Sequence, residues 1–192
     1  MDLLEQIGGL EWGMSKTQFQ EAFSDRRWEP EHPEMNAVGF HDVYAGFRAF
    51  VVGYFNDATG GLRRVVLACS GIPDAALKEL HQAIVEKLTY LNGLPQHETQ
   101  GDPTAPSEFR LEGMQIWNAP TSVISSKLSL SHAGSTKPGA TVTWGDPKND
   151  PASRRWATSG LTAGREPEAL PENFELSDSQ RDEIRKAMEA GS

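Results

Sequence analysis

The sequence predicts an α+β protein: duplicated αβββ units forming one antiparallel sheet, with two helices on one face and a polar C-terminal tail. Three observations carry this. A long amphipathic stretch, about Asp74 to Leu91, lies mid-chain. Three strand-like segments stand on each side of it, and a second, shorter helix signal precedes the first group. The repeat is one of element order rather than residue identity. Its simplest packing is a sheet with both helices on one side.

The first helix is announced by Ser15 and Gln18, spaced as a capping box, with Met14 and Phe19 at the positions of a hydrophobic staple. It ends near Ser24 and Asp25 and is expected to bury Phe19, Ala22 and Phe23. A loop rich in Glu, Pro and His runs from Arg26 to Asn36. Val38 to Val43 is a weak strand. Gly46 to Phe55 is a strong one, dense in β-branched and aromatic residues. Asn56 to Gly61 reads as a turn and Leu62 to Cys69 as the returning strand.

In the central helix Leu77, Leu80, Ile84, Leu88 and Leu91 recur at three- and four-residue steps, with Lys78, Gln82, Glu86 and Thr89 mostly opposite. Pro73 and Asp74 suit its start. Asn92-Gly93 followed by Pro95 suits its stop. A polar loop runs to Pro106. Glu108 to Trp117 reads as a strand bulged at Gly113. Val123 to Ser131 alternates as a strand with one buried and one wet face. His132 to Gly139 is a turn, and Ala140 to Trp144 completes the set.

After Gly145 the composition turns to Pro, Ser, Arg, Ala and Gly. The expected organisation is a core domain over 1–146 and a linker and tail over 147–192. Ser177 to Gln180 forms another capping box, opening a short helix at about 178–190 with Ile184 and Met188 as its main apolar residues.

The 192 residues carry a net charge of −9 and a sequence pI near 5.0. This argues against nucleic acid and against an anionic membrane as partners, since both call for clustered Lys and Arg. A basic protein partner stays open, because an acidic surface speeds encounter with one. The single cysteine, Cys69, sits in an apolar run and reads as a small buried hydrophobe. The N-terminus has no basic segment before an apolar one, and no apolar run approaches the ~20 residues that span a bilayer. The expectation is a cytoplasmic protein.

No stretch names a reaction. The five histidines fall in different elements, without the two- to four-residue pairing of a metal loop. His81 lies off the apolar stripe and is expected in solvent. His32 and His41, flanking a loop with Glu31, Glu34 and Asp42, are the nearest approach to a metal site. There is no Gly-x-Ser-x-Gly elbow, phosphate loop or dinucleotide fingerprint. The reading is therefore of a chain without cofactor or catalysis.

What remains is surface. On the strong strand Phe47, Ala49, Val51 and Phe55 form one alternating set. Phe50, Val52 and Tyr54 form the other, joined by Arg48. Either the strand is covered on both faces, or the second set lies open as a protein-binding patch. Arg64 and Val66 would extend that patch, with Asp42 and Asp57 as acidic residues at its rim.

Gly9-Leu10-Glu11-Trp12-Gly13-Met14-Ser15-Lys16, with the later Trp117-Asn118-Ala119-Pro120, resembles the lead-in and closing strand of small bacterial αβ domains. Among these are immunity proteins of toxin systems and small outer-membrane assembly lipoproteins. The lipoproteins carry a leader and a lipobox cysteine, which this sequence does not show. The matched residues cover under a tenth of the chain and imply no binding residues. The resemblance implies a non-catalytic protein that inhibits a bacterial toxin by covering its active site. The alternatives are a secretion-system chaperone or adaptor, and a small enzyme of unrecognised type.

Overall fold

In chain order the elements are α1 (Leu3–Gly8), α2 (Lys16–Ala22), β1 (Arg27–Trp28), β2 (Ala37–Tyr44), β3 (Phe47–Phe55), β4 (Leu62–Ser70), α3 (Asp74–Asn92), β5 (His97–Gln100), β6 (Leu111–Asn118), β7 (Val123–Ser129), β8 (Gly139–Gly145) and α4 (Pro151–Thr158). The computed structural model describes residues 2–30, 36–100, 111–130 and 138–158. Eight strands form one sheet in the order β1-β2-β3-β4-β8-β7-β6-β5. The β1–β2, β2–β3 and β5–β6 pairs are antiparallel. The α+β class with an antiparallel sheet therefore holds. The six expected strands and two expected helices are all present, joined by the short elements α1, β1, β5 and α4. The expected helix at 178–190 lies outside the described residues.

The chain divides into two compact units. The first comprises Met1–Ala68, Asn118–Ile124 and Val142–Gly160, and the second Cys69–Trp117, Ser125–Thr141 and Leu161–Ser192. Helix α4 falls within the stretch read from composition as linker. It is anchored there by the buried side chains of Asp150 and Ser153.

In the first unit α1 buries Leu3, Leu4 and Ile7, and Asp2 caps its N-terminus by accepting from the Leu4 N–H. Helix α2 starts at the capping box, with both reciprocal Ser15–Gln18 bonds formed. It delivers Phe19 onto β3 at Gly53, where a Cβ would stand 2.8 Å from the Phe19 ring. Only a residue without a side chain allows that approach. Phe19, Phe23, Trp28, Phe40 and Phe55 form a cluster with ring centroids 4.8–5.9 Å apart. Ala22, expected inside, is exposed. The helix closes there, and the non-helical backbone of Phe23 turns the next ring inward instead. The Trp12-Gly13-Met14 turn is tied to β4 by Gly13 N to Leu62 O (2.9 Å) and Leu62 N to Met14 O (2.8 Å), while the Trp12 indole donates to Thr121 O at 2.7 Å.

In the second unit α3 ends on Gly93, whose φ of 80° suits glycine. The Trp117 indole donates to Gly93 O at 3.0 Å, satisfying a carbonyl at the helix end. Leu77, Leu80, Ile84 and Leu88 are buried as expected, but Leu91 is 40% exposed. His81 and Lys87 are inside instead. The buried face is thus rotated from the all-leucine stripe: the rows 77-81-84-88 and 80-84-87 are adjacent on a 3.6-residue helix.

His81 is thus not a solvated histidine. Its Nε2 has no hydrogen-bond partner, and burial pushes its pKa down to about 4. The unfolded chain takes up this proton near pH 6.5 and the folded chain only near pH 4. Stability should therefore fall as pH drops through that window, by about 3 kcal/mol from this residue. Urea titrations of wild type and His81→Leu at pH 7 and pH 4.5 check this. The wild type should lose more between the two pH values, and parallel losses would refute it.

Candidate functional site

Strand β3 alternates strictly. Phe47, Ala49, Val51, Gly53 and Phe55 are buried, Arg48 is exposed, and Phe50, Val52 and Tyr54 are half-buried. Phe19 of α2 covers the buried set. The second set therefore faces the other way and is only partly covered. Directly opposed residues of an antiparallel pair share a face. The register with β2 thus adds Ala37 beside Tyr54, Gly39 beside Val52, His41 beside Phe50 and Val43 beside Arg48. That register is set by the two-residue turn Ala45-Gly46, with φ of 52° and 86°, as in a type I′ hairpin.

On this face lies an open groove of about 430 Å³, lined by Glu29, Pro30, Ala37, Val38, Gly39, Phe50, Val52 and Tyr54. The Phe50 ring leans over Gly39, where a Cβ would come within 2.8 Å of its edge. On its other side it meets the His41 ring, with centroids 4.8 Å apart. His41 Nε2 stands 3.3 Å from a Glu29 carboxylate oxygen. Glu29 is held in place by its own N–H, which donates to Gly39 O at 2.8 Å. Beyond the groove Val43 is 64% exposed.

Four expected patch residues therefore share this face: Arg48, Phe50, Val52 and Tyr54. Val66, on β4, is half-buried. Asp57 is exposed in the β3–β4 turn and accepts from Asn36 Nδ2 at 3.1 Å. Two expectations need correction. Asp42 stands opposite Ala49, in the buried register, and is not a rim acid. Its carboxylate accepts from Arg26 Nε at 2.8 Å and from the Val43 N–H at 2.7 Å. Arg64 is not a free anchor, because its guanidinium is ion-paired with the fully buried Asp150. Arg63 approaches the same carboxylate at 3.8 Å. The Asp150 carboxylate also accepts from the Ser153 N–H and hydroxyl at 3.0 and 2.6 Å. The burial alternation of β4 slips by one residue here, with Leu62 and Val65 buried on either side of the two arginines. Such a slip is the mark of a bulge.

Glu29, Gly39 and Val43 were missed by sequence reasoning, which considers His41 only as a metal ligand rather than as part of this face. The signal was the Ala45-Gly46 turn, which fixes what stands opposite β3, but β2 by itself reads as a weak strand.

Cys69 is fully buried, and burial pushes its thiol up to about 12. The nucleophilic thiolate is thus suppressed near neutral pH. Among the described residues no cluster of three or more His, Cys, Asp or Glu is placed to hold a metal ion, and no helix is long and apolar enough to cross a membrane. A scan of protein-family models and searches of curated proteins and of solved structures found no match to the chain.

Proposed function

We propose that this chain is a non-catalytic protein-binding module whose partner docks on the face formed by β2 and β3. It would act in the cytoplasm as an immunity protein, covering the active site of a basic bacterial toxin. The observation that supports this best is the alternation of β3, which leaves Arg48, Phe50, Val52 and Tyr54 reachable beside an apolar groove. Aromatic and Arg residues in partly covered patches are the usual anchors of protein interfaces. The net charge of −9 favours encounter with a basic partner. The same reading takes the chain as two copies of one unit with both helices on one face. The repeat is supported by the element order, α2-β1-β2-β3-β4 then α3-β5-β6-β7-β8, which adds one short strand to each expected αβββ unit, and by the mirrored strand order.

The test is titration against the product of the adjacent reading frame, with thermal melts alongside. Tyr54→Ala and Arg48→Ala should each weaken binding by on the order of 2 kcal/mol, roughly thirtyfold. The melting temperature should barely move, since neither side chain supports the core. A toxin-like neighbour favours immunity, whereas a secretion operon favours a chaperone or adaptor. If Tyr54→Ala binds like wild type, this face is not the interface.

A further inference from the structure

We infer that the groove on the β2–β3 face is a socket for one large apolar side chain, presented by a partner segment with Lys or Arg beside it. The inference rests on the reading of that face as the binding surface and specifies what it binds. Three features carry it. The 430 Å³ of the groove counts its open mouth and the solvent before it; the enclosed part is about 130 Å³, well below the ~300–1,000 Å³ of ligand pockets. That suits a protruding side chain rather than a large cofactor. Its lining is mostly apolar, from Pro30, Ala37, Phe50 and Val52, with the Tyr54 ring beside them. Gly39, without a side chain, makes room for the Phe50 ring, which forms a wall of the groove.

The third feature gives the sign of the flanking charge. Glu29 lines the same groove, and its side chain remains 40% exposed although His41 stands 3.3 Å from its carboxylate. A carboxylate beside an apolar slot accepts a charge-assisted hydrogen bond from a cation next to the inserted side chain. Arg48 lies at the hairpin end of the strand, beyond Phe50, so it does not neutralise Glu29 through the register. The net charge of −9 draws a basic segment toward the protein and repels an acidic one.

The experiment uses the full-length protein, labelled for amide NMR, and three end-blocked pentapeptides: KRFRK, KRARK and EDFDE. KRFRK should shift the amide signals of Gly39, Val52 and Tyr54. KRARK should lose those shifts for want of the side chain, and EDFDE should produce none for want of the charge. Glu29→Gln, at a partly exposed position, should raise the dissociation constant for KRFRK severalfold with an unchanged melt. Equal shifts from KRARK or EDFDE, or no shift with KRFRK, would overturn the socket. If KRFRK fails while Tyr54→Ala still weakens the protein partner, the face binds and only the socket is wrong. If KRFRK binds as stated while Tyr54→Ala leaves the protein partner unaffected, the socket stands and the immunity reading falls.

Discussion

Ile84→Ala should remove roughly 2–5 kcal/mol of stability. Ile84 is fully buried, midway along α3, between Leu77, Leu80 and Leu88 of the same face. Truncation loses its transfer free energy and leaves a void that neighbours fill only in part. Against a typical stability of ~5–15 kcal/mol, that is a large share. A urea titration should show a lower midpoint with an unchanged slope. A loss below about 1 kcal/mol would mean that α3 does not rest on this face. Leu91→Ala is the internal comparison. At 40% exposure it should change stability far less, although the two positions look equivalent in the periodic pattern.

Asp150→Ala should be comparably damaging, through a different mechanism. The Asp150 carboxylate is fully buried. It neutralises Arg64, stands 3.8 Å from Arg63 and caps the first turn of α4 through Ser153. The Nε atoms of both arginines are buried without a hydrogen-bond partner, although their side chains stay 29% and 28% exposed, which puts the loss toward the lower end of the range for a buried pair. Removing one partner of a buried pair typically costs about 3–5 kcal/mol, because the other charge is left uncompensated. Loss of the cap adds about 1 kcal/mol. The double variant Asp150→Ala with Arg64→Leu should recover part of the loss, since the stranded charge leaves with it. Equal stability of the single and double variants in urea would show that the ion pair is not the cause. A tail that merely follows the fold would not respond at all, so the same measurement tests whether this stretch belongs to the first unit.

Short-range features of this chain were legible because their causes lie within a few residues. The Ser15–Gln18 capping box needs only its own turn, and it forms as spaced. The limits of α3, Asp74 to Asn92 with Gly93 beyond, follow from Pro73, Gly93 and the 3.6-residue period. The two-residue period of β3 gave two candidate faces, and burial of Cys69 followed from its apolar neighbours.

The sequence by itself thus determined the main segments, α2, α3, β2–β4 and β6–β8, and which residues of β3 share a face, but not the short elements α1, β1, β5 and α4. Tertiary structure decided which face is covered and what each charge meets, because those depend on residues far away in the chain. Phe19 settles the covered side of β3 by sitting on Gly53. Asp42 goes to Arg26 through the β2 register, and Arg64 goes to Asp150, 86 positions later. Trp12 reaches Thr121 across 109 positions. His81 is buried and Leu91 left out because α3 meets its surroundings along a line that its own pattern does not fix. Periodicity constrains a side chain only relative to its own helix or strand, and its partner is set by the approach of another segment, which no local pattern encodes.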